Sequence, residues 1–377
     1  IVICFFMYTP GLYADESALF TEVAPDALLV LDLSGSMKWA PAGEYMWTSS
    51  LNQCGSDSKY YAELGLSHEK QCEINAYETV PKYSNGSCSG PFYINNSHTG
   101  YTTDCSRVAI AKRAIFDILD DNNDNTVDDQ DENILNVRIG YMRFHDGNDT
   151  GGDYSSGNNE LIEPIGTVYS TVWSSVNSDY ANSGTALVSS LNEAKAYLDY
   201  QKSKDNAKEC RQKFVILITD GEDTYSCSGI GSSGQDDQYK RRREFVDKVK
   251  ALADAGYRVF VIGFGADMPY ALKNSLNWAA YYGNTDNPAE ANSGDTSTNA
   301  YDPSAITSCQ ESTTLLGGFA SSNDPGNASL TGYAFLASSS DELTDALKQA
   351  INIIREATYS FSMSSIQTSR TTDENYL

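Results

Sequence analysis

Five short apolar runs rich in β-branched residues punctuate an otherwise polar chain: Ala27–Leu31, Val137–Phe144, Phe214–Thr219, Arg258–Phe264 and, more weakly, Tyr333–Ala337. Runs of this length between polar flanks predict buried strands. Between them, apolar positions return every three or four residues. Val108, Ala111, Ile115 and Ile118 form one stripe within Arg107–Leu119, and Phe245, Val249 and Leu252 form another within Arg241–Ala255. Thr185–Tyr200, Pro269–Tyr281 and Asp341–Ala357 behave likewise, so all five segments are predicted helices. Gly256 directly follows the Arg241–Ala255 segment, where a left-handed residue suits a helix end. Strands alternating with helices imply an α/β fold, a doubly wound and mostly parallel sheet covered on both faces. Such a sheet binds ligands beyond the carboxyl ends of its strands.

Long polar stretches interrupt this pattern at 37–105, 145–183, 223–240 and 284–331, and they are read as insertions into one domain spanning 26–357. They hold many of the chain's 25 tyrosines, among Ser, Gly, Asn and Asp. Residues 284–304 have almost no apolar content and are expected to be disordered. The tail from Thr358 begins with alternation at Tyr359, Phe361 and Met363 and reads as the start of a following module, 358–377. At the other end, the apolar run Ile1–Tyr8 followed by Pro10-Gly11 reads as a truncated signal peptide over 1–14, with a linker over 15–25. The run is too short for a membrane span, which needs about 20 apolar residues.

Composition sharpens this picture. Lys and Arg number 26 against 51 Asp and Glu, giving a net charge of −25. A polyanion of this kind repels nucleic acid and attracts cations. Of the eight cysteines, Cys54, Cys72, Cys88 and Cys105 fall in one loop-like stretch, which points to local bridges in an oxidising compartment. Cys210, Cys227 and Cys309 leave an odd one out once Cys4 is set aside. Zinc is disfavoured, since no C-x-x-C occurs and the only histidines are His68, His98 and His145.

The chemistry gathers where strands end. Strand Ala27–Leu31 runs into Asp32-Leu33-Ser34-Gly35-Ser36, whose alternation turns one carboxylate and two hydroxyls the same way, with Gly35 easing the turn. Strand Phe214–Thr219 ends in Asp220-Gly221. Ser183-Gly184-Thr185 places a hydroxyl at a helix start. A helix cap explains the first group alone equally well, but the three together aim hard oxygen donors at one sheet edge. These suit Mg²⁺, Ca²⁺ or Mn²⁺.

In identity, order and context, Asp32, Ser34, Ser36, Thr185 and Asp220 resemble the metal-ion-dependent adhesion site of the von Willebrand factor A (VWA), or integrin I-like, family. The resemblance covers about 26–357 and implies a VWA, Rossmann-like fold. It implies that the hydroxyls touch the metal directly, that the aspartates often act through water, and that an open position accepts a carboxylate from a partner.

A second oxygen-rich pattern follows the Arg107–Leu119 helix. Set against a 12-residue calcium loop, Asp120, Asn122, Asp124, Asp128 and Asp131 fill positions 1, 3, 5, 9 and 12, and Thr126 offers its carbonyl at position 7. Asn125 stands where Gly is usual and tolerates a left-handed backbone; Val127 can anchor the loop. A solvated acidic turn is the alternative. The register resembles an EF-hand loop, more closely the dockerin-type variant with Asp at position 12. Ile134–Phe144 reads as strand, so structural calcium at a helix-to-strand connection is expected rather than a paired EF-hand.

The leader, the cysteine-bearing insertion after D-x-S-G-S, the calcium-like loop and the ending near IIREATYSFS together resemble the N-terminal region of PilY-type adhesins, which sit at type IV pilus tips. That resemblance implies a non-enzymatic, secreted module at the cell surface or pilus tip of a Gram-negative bacterium. Its implied partners are a protein or surface ligand offering a carboxylate, and pilus subunits or minor pilins. Two other readings stay open: an assembly or mechanosensing component without external ligand, and a metal-dependent hydrolase using Asp32 or Asp220 as base. No histidine joins a motif to support the hydrolase; His145 in FHDG reads as a cap.

Overall fold

The five apolar runs become strands of one sheet. In a computed structural model the described residues are 23–43, 92–93, 101–102, 106–144, 161–179, 181, 184–305, 309–310 and 323–373, with side-chain surroundings described as far as 357 in the last stretch. Strands are β1 (Asp26–Leu31), β2 (Phe92–Tyr93), β3 (Tyr101–Thr102), β4 (Arg138–Arg143), β5 (Leu161–Glu163), β6 (Lys213–Thr219), β7 (Arg258–Phe264), β8 (Ser293–Gly294), β9 (Leu330–Thr331) and β10 (Phe335–Ala337). Helices are α1 (Arg107–Leu119), α2 (Asp129–Leu135), α3 (Tyr169–Ser178), α4 (Leu187–Lys204), α5 (Gln238–Asp254), α6 (Tyr270–Tyr282) and α7 (Ser340–Asp373).

The 6-stranded sheet has the order β10-β7-β6-β1-β4-β5. All neighbours pair in parallel except β5, which closes the β4 edge antiparallel. Because side chains alternate across a strand, each central strand feeds two cores. Leu29, Ile139, Ile216 and Ile262 face α1, α3 and α7. Leu28, Val30, Val215, Leu217 and Val261 face α4, α5 and α6. Burial on both sides accounts for runs that are continuously apolar rather than alternating. The expected doubly wound, mostly parallel architecture is the one observed.

The stripe Val108, Ala111, Ile115 and Ile118 is buried, as are Phe245, Val249 and Leu252. Gly256 has φ +91, the left-handed helix end expected of it. Three expectations need correction. The segment after the acidic loop is not strand from Ile134: α2 occupies Asp129–Leu135, started by an Asp128/Asp131 capping box, and strand begins only at Arg138. Residues 284–304 are ordered, with Ser293–Gly294 paired to Leu330–Thr331 and Tyr301 fully buried beside Trp278. The insertion at 145–183 is also not all loop, since β5 and α3 lie within it. The tail continues α7 as helix to Asp373.

Cys227 and Cys309 form a disulfide that joins the third and fourth insertions, and Cys210 is also disulfide-bonded. Glu244 lies beside the Cys227–Cys309 pair, but oxidised sulfurs are not thiolate ligands. The expected leader over 1–14, the cysteines Cys54, Cys72, Cys88 and Cys105, and the three histidines lie outside the described residues. Among the described residues no helix is long and apolar enough to cross a membrane.

Candidate metal site at the carboxyl edge of the sheet

β1 and β6 are adjacent and in register, so their carboxyl ends deliver Asp32 and Asp220 side by side. Both are buried. Asp32 Oδ1 accepts from Ser34 N at 2.7 Å, and Asp32 Oδ2 accepts from Thr219 Oγ1 at 2.7 Å and from Asp220 N at 3.3 Å. The turn after β1 is a 3₁₀ helix, Gly35–Lys38, that folds the two serines back over the strand end. Ser34 Oγ and Ser36 Oγ stand 3.1 Å apart, and Ser36 Oγ donates to Asp220 Oδ1 at 2.8 Å.

Thr185 reaches the same edge from the start of α4. A Cβ built on Gly221 would lie 3.1 Å from Thr185 Oγ1, which places that hydroxyl beside the Asp220-Gly221 turn. Thr224 fixes it: Thr185 N donates to Thr224 Oγ1 at 2.9 Å, and Thr224 N donates to Thr185 O at 2.8 Å. Gly184 is required here, since a Cβ would come within 2.4 Å of Gly231 O. Asp32, Ser34, Ser36, Thr185 and Asp220 are therefore gathered into one cluster, while Ser183 lies outside the described residues.

Burial pushes the Asp32 carboxyl up to about 7, with the charge of Asp220 adding to the effect. Burial also raises Asp220, against the opposing pull of Arg107. Two desolvated carboxylates this close repel each other, and a cation between them relieves both penalties. With three hydroxyls alongside, the donor set is all hard oxygen and fits Mg²⁺, Mn²⁺ or Ca²⁺.

Several contributors were not foreseen. Arg107, 3% exposed in its side chain, donates from Nη1 to Asp220 Oδ2 at 2.8 Å. An arginine opening a helix gives no sequence signal of facing inward. The residues after Asp220 each anchor something different. Glu222 pairs with Arg242 at 3.2 Å, and Arg242 grips Asp324 through two hydrogen bonds of 2.9 and 2.6 Å. Asp223 Oδ2 accepts from Val188 N at 2.9 Å, at the start of α4 just after Thr185. These ties and the Cys227–Cys309 disulfide pin the third and fourth insertions around the rim.

The second pattern is organised differently. Asp120 accepts from Asp124 N at 3.0 Å and Asn125 N at 2.9 Å; Asn122 Oδ1 accepts from Asp124 N at 2.9 Å; Asp124 Oδ1 accepts from Thr126 N at 2.8 Å. Asp131 accepts from Asn122 N at 3.1 Å and Asp128 N at 2.8 Å, and Asp128 Oδ1 accepts from Gln130 N at 2.8 Å. Asn125 has φ +66, and Val127 is buried in the core. Asp120, Asn122, Asp124, Asp128 and Asp131 thus ring one turn, each fixed by backbone N–H groups.

Comparison with known proteins gives one family match. No curated protein matches the chain. Among solved structures, an aerotolerance-related membrane protein from Bacteroides fragilis is 15% identical, covering 69% of this chain and 89% of that one, with a TM-score of 0.31. The PilB minor pilin from Streptococcus sanguinis is 12% identical over 89% of this chain and 62% of its own, with a TM-score of 0.41. The manganese-loaded TRAP protein from Plasmodium vivax is 11% identical over 68% and 63%, with a TM-score of 0.31. At such identities and TM-scores the reading of the rim rests on its own geometry. Residues 165–289, the stretch that holds Thr185 and Asp220, match the family described as von Willebrand factor type A domain.

Proposed function

We propose that the rim of Asp32, Ser34, Ser36, Thr185 and Asp220 holds a divalent cation, and that the protein is a secreted adhesion module whose partner supplies an anionic oxygen to that cation. The observation that carries this reading is the buried pair Asp32 and Asp220, set among hydroxyls at the carboxyl edge of a parallel sheet. The bound cation would supply a positive charge able to take a carboxylate. Asp32 and Asp220 would offset its charge, Ser34, Ser36 and Thr185 would offer neutral donors, and Thr219 and Thr224 would hold Asp32 and Thr185 in position. A site that takes a partner's anion through a metal is a binding site, and we read the protein as a non-enzyme.

The setting we favour is a pilus-associated adhesin of the PilY type at a Gram-negative cell surface, with pilus subunits or a protein or surface ligand as partners. Support comes from the sequence features carried by the chain as a whole, together with the VWA match at 165–289. The loop at 120–131 is read as a structural calcium site. Replacing both Ser34 and Ser36 by Ala tests the central claim: metal-dependent adhesion to ligand-coated surfaces is lost while the far-UV and near-UV spectra stay those of the parent. Adhesion that is the same with and without chelator, in parent and variant alike, overturns it. Pilus counts on cells carrying Asp32→Ala separate adhesion, in which pili persist, from assembly, in which they disappear.

A further inference from the structure

The guanidinium of Arg107 occupies a purpose-shaped seat. Nη1 donates to Asp220 Oδ2 at 2.8 Å, and Nη2 donates to Pro41 O at 3.4 Å and pairs with Asp267 Oδ1. The Trp39 ring lies 5.9 Å from Cζ. A Cβ on Gly265 would come within 3.2 Å of Cζ, so glycine at the end of β7 leaves the room the group fills. Three separate segments therefore converge on the buried positive charge carried at the start of α1: the turn after β1, the end of β6 and the turn after β7. Its inner partner is Asp220, and its outer partner Asp267 is 40% exposed at the solvent edge.

We propose that Arg107 is a built-in counter-cation of the rim: it holds Asp220 in place whether or not a metal is present, and it limits how tightly a metal binds. This inference rests on the metal reading above. Asp220 Oδ2 is committed to Arg107, so Oδ1, the atom that accepts from Ser36, is the oxygen left for the cation side. The orientation of Asp220 is thus fixed before metal arrives. Electrostatics sets the second effect. Asp32 and Asp220 alone would neutralise a divalent ion. Arg107 is shared with Asp267, but that carboxylate is 40% exposed and screened by solvent. The buried part of the occupied rim, a divalent ion with Asp32, Asp220 and Arg107, therefore keeps residual positive charge, which weakens the metal and strengthens the pull on an anionic oxygen from a partner.

Mn²⁺ titration of the purified chain, followed by calorimetry and by Mn²⁺ electron paramagnetic resonance, tests this. Binding that disappears in the Ser34→Ala/Ser36→Ala protein defines the rim site. Arg107→Met is expected to tighten that binding by about tenfold or more, and to lower the melting temperature in chelator but not in saturating Mn²⁺. Arg107→Lys, which keeps the charge, is expected to stay within about threefold of the parent. Should Arg107→Met fail to fold, Arg107→Gln keeps an amide donor toward Asp220 without the charge and carries the same expectation of tighter binding. Neutral variants that bind Mn²⁺ as weakly as the parent, or more weakly, overturn the proposal and leave the metal reading standing. A parent protein with no serine-dependent Mn²⁺ binding overturns the metal reading itself.

Discussion

The two candidate cation sites solve the same problem in opposite ways. The rim at Asp32 and Asp220 is assembled from segments as far apart as 188 residues, is buried, and carries its own cation in Arg107. The loop at 120–131 is contiguous and largely exposed, and its carboxylates are held by the loop's own backbone N–H groups. The rim exists only once the sheet has formed. The loop's geometry follows from local turns plus three buried residues, Asp120, Val127 and Asp131. Long-range assembly allows desolvation and with it strong electrostatics; local assembly allows register to be read from spacing alone.

Four experiments bear on that contrast. The largest effect is expected at the rim. Asp220→Ala removes the buried partner of Arg107, leaving it only the part-exposed Asp267, and should cost about 3 kcal/mol in urea unfolding. A cost no larger than that of an exposed loop carboxylate would mean that the rim is not electrostatically dominated. Next comes Asp131→Ala, which removes acceptors for Asn122 N and Asp128 N together with half of the capping box of α2. Its expected cost is about 1–2 kcal/mol, read as a lowered midpoint.

Asp124→Ala is expected to cost about 1 kcal/mol or less without calcium, because only Thr126 N loses its acceptor in an exposed turn. Its informative readout is linkage. The parent should gain melting temperature in excess Ca²⁺ and the variant should gain much less; equal gains would leave the loop a solvated turn. The smallest effect is a baseline away from both sites. Burial opposes the Asp199 charge, but hydrogen bonds from Lys195 and Tyr257 prevail and hold its carboxyl below the usual range. A depressed pKa contributes stability above the unfolded value that is lost as pH falls through the folded one. Tyr257→Phe should therefore move the Asp199 titration upward in a carboxyl NMR experiment, with a slight shift of the acid unfolding limb. Asp199 is half exposed, so a large shift of that limb would show that surface carboxylates, not the rim, govern acid stability.

Much of the scaffold was legible because burial on both faces writes itself as uninterrupted apolar runs. Arg258–Phe264 coincides with β7, and Arg107–Leu119 with α1. The five rim residues were legible as a pattern of oxygen side chains after strand ends, and they lie together in the structure. What stayed hidden depends on contacts between distant segments. Asp129–Leu135 is dense in acids that also fit a loop, and only the capping box and the burial of Asp131 and Leu135 make it helical. Tyr301 sits in a polar stretch and is buried because Trp278, Tyr282 and their neighbours provide an aromatic seat. Arg107, Arg242 and Asp324 carry charges that read as surface until their partners are seen. A tyrosine or an arginine alone does not announce whether its partner is water or another side chain.

The Cys227–Cys309 bond, separated by 82 residues in sequence, turns α5, β7, α6 and the segment carrying Tyr301 into a covalently closed ring. A protease that cuts once inside this ring, for instance in the exposed stretch around Ala289–Asn292, severs the backbone without releasing either half. The nicked protein would migrate as one species until reductant is added and as two afterwards. An exposed insertion is thus also one that the molecule can have cut without coming apart.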